Sequence, residues 1–212
     1  DPLMFWTFGF LREQSGGPGG PRAPLGPQPS DVRAGRFAFK LALLSIASLF
    51  VACLVAFVTI RTRAETWRED GMPGLPMVLW LSAALLLLVS VLCEAAYRGM
   101  PVRRAQRVRW AYFAGIAFCV AQAAAWIQWT VQGLPPNAPT LYAFSFYMLT
   151  AVHALHVLAG VVLLHIVKRR EESKRLRLID GRSEFLRLTT QYWHFLGLVW
   201  IVMWIALEVA NG

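Results

Sequence analysis

The chain has 212 residues, of which 57% are hydrophobic and 16% charged, and it carries a formal net charge of +9. A soluble domain holds about 25% charged residues, so this composition excludes an ordinary water-soluble globule. It points instead to apolar runs of about 17–25 residues, the length that carries a helix across a hydrocarbon core ~30 Å thick.

In chain order, residues 1–35 form no span. "DPLMFWTFGFL" is aromatic-rich and too short to cross a bilayer, and, opening without a basic segment, it is not expected to be a signal peptide. "SGGPGGPRAPLGPQPS" at 15–30 has ten Gly or Pro residues and is expected to be an extended linker. Residues 36–212 hold five apolar runs, at 37–60, 75–96, 108–131, 141–167 and 189–210. Helices satisfy their backbone polar groups internally, as lipid demands, and no alternating pattern suggests a barrel. The predicted fold class is all-α, a polytopic bundle of five transmembrane helices.

The positive charge follows the spans. Five basic residues precede or open the first span, five lie in the second loop and eight in the fourth, against three in the first loop and none in the third. This asymmetry predicts a cytoplasmic N-terminus and an external C-terminus. It accounts for the basic excess without a nucleic-acid partner and leaves anionic lipid headgroups as a secondary use. The fourth loop mixes charges at helical spacing, so the fourth helix is expected to extend beyond the membrane before Asp180–Gly181 breaks it.

Small residues form ridges at Ser48, Ala52 and Ala56 in span one and at Ala117, Ala121 and Ala125 in span three, which would let helices approach closely. Cys53, Cys93 and Cys119 lie singly in three spans with no CxxC spacing, and read as small buried hydrophobes. Trp67, Trp80, Trp110, Trp129 and Trp193 fall near predicted interfaces, where indoles anchor helices.

Three spans each present one polar stripe. Span three lines up Gly115, Phe118, Gln122, Trp126 and Trp129. Span four lines up Tyr142, Phe146, Leu149, His153, His156 and Gly160. Span five lines up Thr190, His194, Gly197, Ile201, Trp204 and Glu208. All three stripes are expected to face inward. The histidines could bind haem or metal, relay protons, or join neighbouring helices as neutral hydrogen-bonding groups. A haem pair needs ligands from two helices, and only His156 and His194 qualify. Their depths, about 16 Å and about 8 Å from the same end, match poorly. Metal would need a further ligand, and the nearest carboxylates, Glu94 and Glu208, lie at opposite faces. Interhelix hydrogen bonding is the preferred reading, since an unpaired polar group in lipid costs several kcal/mol. Glu94 is placed to pair with Arg98 one turn on, and His165 to lie by Lys168 at the headgroups. No nucleophile–base pair, phosphate loop or nucleotide fingerprint accompanies these residues.

"FYMLTAVHALHVLAG" at 146–160 closely resembles a span of subunit III of the haem–copper cytochrome c oxidase family, in its short five-span bacterial form. The family pattern is F-[FY]-x-L-T-G-x-H-x-x-H-V-x-x-G, matched by Phe146, Leu149, Thr150, His153, His156, Val157 and Gly160, with Ala151 in place of a glycine. "QYWHFLGLVWIVMW" resembles the family's last span, Y-W-H-F-V-D-x-V-W, through Tyr192, Trp193, His194, Phe195, Val199 and Trp200. Gln122 fits a glutamine that precedes an E-Y pair in the family. Three acids are missing. Ile46 stands where a buried glutamate follows a serine, Gly197 replaces the aspartate, and the E-Y pair gives way to apolar residues and Trp126.

The resemblance implies a non-catalytic subunit of a redox-driven proton translocase, with no catalytic, cofactor or metal site of its own. Haems and copper are then expected in partner subunits. The implied partners are the catalytic haem–copper subunit I, other oxidase subunits, structural phospholipids and, at the widest, a respiratory supercomplex. The implied location is the bacterial inner membrane. His153, His156, His194, Gln122, Thr150, Tyr192 and Trp193 become its structural interhelix polar residues. An accessory subunit of a nitric oxide reductase and a b-type cytochrome membrane anchor remain the alternatives.

Overall fold

The computed structural model describes residues 29–68, 72–176 and 184–211. These form five helices: α1 Pro29–Arg63, α2 Val78–Arg98, α3 Pro101–Val131, α4 Leu141–Leu176 and α5 Glu184–Asn211. All five are long and apolar enough to cross a membrane, and no strand occurs among the described residues. The chain divides into two compact units at 1–35 and 36–212. Of the first, only the opening turns of α1 are described; the aromatic stub and the linker up to residue 28 lie outside the described residues.

The second loop is far shorter than the charge pattern suggests. Gly99 and Met100 alone join α2 to α3. Pro101 starts α3, where its missing N–H is no loss and its fixed φ suits a helix. Arg107 donates from Nη1 to the Ala95 carbonyl at 2.6 Å, a carbonyl in the last turn of α2 that also accepts the Gly99 amide at 3.0 Å. Of the arginines expected in a loop, Arg98 therefore ends α2 and Arg103, Arg104, Arg107 and Arg109 sit on α3. The fourth helix extends past the apolar run to Leu176, as its charge spacing suggested, while Asp180–Gly181 lies outside the described residues. At the opposite end the α3–α4 turn is closed by Gly133 at φ +87°, by the Leu134 amide on the Trp129 carbonyl (2.9 Å), and by the Tyr147 hydroxyl on the Leu134 carbonyl (2.8 Å).

Backbones come together in the pairs α2–α3, α3–α4, α4–α5 and α5–α2, a closed ring of four helices. α1 meets this ring through large side chains. Phe50 lies against His153 and His156 on α4, and Phe57 meets the edge of Trp67. Its inward face is thus Ile46, Phe50 and Phe57, and the expected ridge of Ser48, Ala52 and Ala56 points outward. The hydroxyls of Ser48, Thr59 and Thr62 on that exposed side bond back to carbonyls of their own helix, so they need no neighbour.

The stripes of α3 and α4 face inward as expected, with Gly115, Phe118, Gln122, Trp129, Tyr142, Phe146, Leu149, His153 and Gly160 buried. The stripe of α5 does not. Its buried face is Leu186, Thr190, Trp193, Leu196, Trp200, Met203 and Leu207, whereas His194, Ile201 and Glu208 are exposed. Large tryptophan and leucine side chains fill the interior, and polarity is a poor guide near a helix end that water reaches. Of the tryptophans expected at interfaces, Trp80 and Trp110 are exposed, but Trp67, Trp129 and Trp193 are core residues. Cys93 is buried, Cys53 and Cys119 are half-buried, and all three are free.

The tightest approach lies around Trp193. A methyl group added at Gly160 would come within 3.0–3.1 Å of the Trp193 indole and 3.1 Å of the Tyr192 ring. One at Gly115 would meet the same indole at 3.3 Å and Val161 at 3.2 Å. The indole of α5 is therefore seated between a glycine of α3 and a glycine of α4. Ser90 of α2 donates to the Trp193 carbonyl at 3.3 Å. Gly160→Ala should destabilise the bundle by about 1–3 kcal/mol through overpacking, read as a lower unfolding midpoint in detergent micelles. Gly35→Ala, where the space is open, should leave the midpoint unchanged or raise it.

Candidate functional site

The two sequence motifs meet in the middle of the bundle. His153 is fully buried among rings: Trp200 on α5 at 4.9 Å between centroids, Phe118 on α3 at 5.8 Å and Phe50 on α1 at 6.0 Å. Neither ring nitrogen has a hydrogen-bond partner among the described residues, and the same holds for the Gln122 amide and the Trp193 and Trp200 indole N–H groups. The interhelix hydrogen bond expected at His153 is thus replaced by aromatic contact. Rings from three other helices, α1, α3 and α5, surround it instead.

His156 is half-buried. Its Nδ1 lies 2.8 Å from the Val152 carbonyl of its own helix, and among the described residues the ring has no hydrogen bond to another helix. The interhelix bond at this level comes from Tyr192, whose hydroxyl donates to the His156 carbonyl at 2.8 Å. Thr150 accepts from the Trp126 Nε1–H of α3 at 3.0 Å and donates to the Phe146 carbonyl at 2.7 Å. Trp126 therefore bonds α4 from the region where the family resemblance would place a Glu-Tyr pair.

His194 lies elsewhere. Residues two apart on a helix point about 200° apart. With Tyr192 turned to α4, His194 turns outward. Its Nε2 lies 3.1 Å from Glu94 Oε2 on α2, and Glu94 is also paired with Arg98. His156 and His194 consequently share no face, and the pairing that a haem would need is not formed. No group of three or more His, Cys, Asp or Glu able to hold a metal occurs among the described residues.

The Glu94–His194 contact was missed in the sequence, although the topology carried a signal for it. Both residues lie near the ends of their spans on the same predicted side of the membrane. The same arginine-rich end holds two further interhelix pairs. Arg36 forks onto Glu184 at 2.7 and 3.1 Å, and Arg104 faces Glu171 at 3.9 Å with both side chains 5% exposed. His165 accepts from Arg169 at 3.1 Å and lies beside the Tyr112 ring, over which Lys168 also sits. A cavity of about 680 Å³ opens between α2 and α5 beside Glu94 and His194.

Comparison with known proteins bears on this architecture. A family model described as cytochrome c oxidase subunit III matches residues 28–210. Among curated proteins, the chain is 29% identical over 175 residues to a cytochrome c oxidase subunit 3 of Synechocystis, covering 80% of this chain and 72% of the relative. It is 25% identical over 175 residues to one of Thermostichus vulcanus, covering 79% and 83%. It is 29% identical over 93 residues to one of Corynebacterium diphtheriae, covering 44% of each.

Because His153 makes no hydrogen bond, an apolar residue of similar volume should replace it at little cost. His153→Leu should shift stability by less than about 1 kcal/mol, whereas His153→Ala, which leaves a cavity, should cost about 2–5 kcal/mol. Thr150→Val removes the Trp126 acceptor and should cost about 0.6–1.7 kcal/mol, the span of interhelix hydrogen bonds measured in membranes. Unfolding midpoints of the three variants in one detergent check the order.

Proposed function

Because the chain belongs to the cytochrome c oxidase subunit III family, we propose that it is the non-redox subunit that steadies a haem–copper catalytic subunit in a bacterial inner membrane. The observation that carries this reading is the use the motif residues are put to. Gly160, Trp193, Tyr192 and Thr150 are spent on joining helices, and His153 on ring packing. A bundle organised in this way is suited to presenting rigid faces to neighbours. On its outer side α1 offers Leu44, Val51, Val55 and Val58, all more than half exposed, to lipid or to a partner helix.

In this reading the arginine-rich end faces the cytoplasm, following the positive-inside rule. Haems and copper reside in partner subunits, and oxygen reduction with proton translocation belongs to the assembled complex. This chain contributes stability, lipid retention and sustained proton uptake. The absence of a carboxylate at Ile46, Gly197 and Trp126 directs that contribution toward packing and lipid contact more than toward proton transfer through its own interior.

Affinity purification of the tagged chain from its native membrane in mild detergent should co-isolate a haem–copper subunit and oxygen-reducing activity. Recovery of the chain without any haem-bearing partner, or with a complex that reduces nitric oxide and not oxygen, would sink the reading. His153→Leu combined with His156→Leu should leave both the haem spectrum and the assembly of the complex unchanged, since His153 makes no hydrogen bond and the His156 ring bonds its own helix; a lost haem spectrum in a normally assembled complex would overturn the reading.

A further inference from the structure

Tryptophan and tyrosine rings form one continuous file at the end of the bundle away from the arginines. Half-buried Trp126 on α3 lies 6.3 Å from Tyr147 on α4, measured between ring centroids. Tyr147 lies 6.0 Å from Trp129, Trp129 lies 5.2 Å from Tyr142, and Tyr142 lies 5.7 Å from Trp67. These are contact distances for aromatic rings, so each π system touches the next. Indoles and phenols also give up single electrons more easily than other uncharged rings, because a heteroatom lone pair raises the energy of the π electrons. The file starts on a flank open to lipid, where Ile127 is 64% exposed, about 8 Å from the end of α3. It finishes at Trp67, past the end of α1, where a cavity of about 200 Å³ has Thr66, Trp67 and Thr140 in its lining. Other tryptophans make their contacts elsewhere: Trp200 with His153 and Phe118, Trp80 with Trp204.

The hydrogen bonds along the file differ from the setting at its end. Trp126 donates to Thr150 Oγ1 at 3.0 Å and Trp129 to the Gly74 carbonyl at 3.1 Å, while Tyr147 donates to the Leu134 carbonyl at 2.8 Å. A hydroxyl and two carbonyls are weak bases, so an indole that loses an electron there keeps its proton and is left as a cation. A lone cation is unfavourable in a low-dielectric interior, which drives the vacancy toward water. At the far end Arg61 stands over the Trp67 ring at 5.3 Å and Arg68 over the Tyr142 ring at 5.9 Å. A guanidinium repels a ring cation, so the vacancy settles on Trp67 once the indole proton has passed to water.

We propose that this file drains radicals from the membrane, carrying a one-electron oxidation from Trp126 to Trp67, where a small water-soluble reductant refills it. The substrate class is the lipid alkoxyl radical, formed when a lipid hydroperoxide is cleaved. The radical takes one electron from Trp126 and one proton from interfacial water, and becomes a lipid alcohol. Trp129 supplies an electron to Trp126 across the Tyr147 ring, and Trp67 supplies one to Trp129 across the Tyr142 ring. Both phenols keep their protons. Trp67 gives its N–H proton to water, which restores the proton the alcohol consumed. The sum is alkoxyl radical plus Trp67 giving lipid alcohol plus a neutral indolyl radical. An enediol such as ascorbate returns one electron and one proton to Trp67. This activity goes beyond the subunit reading and needs no cofactor.

Directed photo-oxidation of the full chain in detergent micelles tests the path. A ruthenium photo-oxidant is attached at Ile127→Cys, beside Trp126, with Cys53→Ala and Cys119→Ala to confine the label. Repeated flashes with a soluble electron acceptor should leave the oxidation product at Trp67, located by peptide mass spectrometry. Trp67 is 8% exposed, whereas Trp80 and Trp110 are 60% and 56% exposed, so a freely diffusing oxidant would mark those two instead and overturn the proposal. Ascorbate should suppress the Trp67 product. Trp129→Phe keeps a ring in the file but removes its readily lost electron, and should abolish the Trp67 product while product gathers at Trp126. Product that stays at Trp126 in the unaltered sequence, or a Trp67 yield undiminished by Trp129→Phe, reduces the file to packing. Should Trp129→Phe not fold, the site of oxidation with Trp129 in place decides alone. Since the measurement uses this chain without partners, its failure leaves the subunit reading standing, and failure to co-isolate a haem–copper subunit leaves the photo-oxidation result standing.

Discussion

The seat of Trp193 is the contact from which the rest of the bundle follows. In lipid, helices gain little from hiding apolar surface from one another, because acyl chains are as apolar as leucine, and association rests on close packing and a few polar bonds. A large flat side chain between two glycines makes the most of that packing. Trp193 fills the space that Gly115 and Gly160 leave open, while its carbonyl accepts from Ser90. One residue thereby sets the spacing of α2, α3, α4 and α5. Tyr192, its neighbour, adds the polar bond to the His156 carbonyl. The two sequence motifs are thus two halves of one joint: glycine and histidine on α4, adjacent aromatics on α5.

This joint explains which parts of the structure were legible in the sequence. The inward faces of α3 and α4 were readable because glycine, glutamine, histidine and aromatics fall on one stripe in mid-membrane, where no polar group can turn to water. The inward face of α5 was not. His194 and Glu208 resemble stripe members by spacing, but they lie near the two ends of the apolar run 189–210, where facing outward costs little. Trp193, placed near an interface by its position, and Trp200, named only as part of the last-span motif, are the actual core residues. The short α2–α3 connection was hidden because five arginines resemble a solvated loop, whereas Arg107 bonds back to the last turn of α2. The small ridge of α1 was read inward for want of any term in the sequence that weighs phenylalanine packing against alanine approach.

The histidines changed meaning more than position. Buried as expected, His153 gives up hydrogen bonding for stacking against Trp200 and edge contacts with Phe50 and Phe118. That arrangement suits an interior in which acids are scarce: among the described residues Glu171 is the one buried carboxylate, and it faces Arg104. Ile46, at the position where the resemblance would set a glutamate, packs against the core on the inward side of α1. An imidazole without an acid beside it has no electrostatic reason to be charged in a low-dielectric interior, and as a neutral aromatic ring it packs like one.

The two ends of the bundle solve the same problem with different chemistry. α1 approaches the four-helix ring only through side chains, so it needs fastening, and both ends of α5 provide it. At the arginine-rich end Arg36 forks onto Glu184, 148 residues away in sequence. At the other end Trp67, just past α1 and packed on Phe57, donates its indole N–H to the Ala210 carbonyl at 2.9 Å, across 143 residues. Charge pairing serves where basic residues are concentrated, and a neutral indole serves where they are not. Because α1 and α5 are the first and last of the described helices, these two ties close the bundle on itself. Closing so long a loop is costly in chain entropy only once, and the second tie then acts on ends already held together. That is why a helix with so little backbone contact can keep a fixed place, and why its outward face is free for lipid or for a neighbouring subunit.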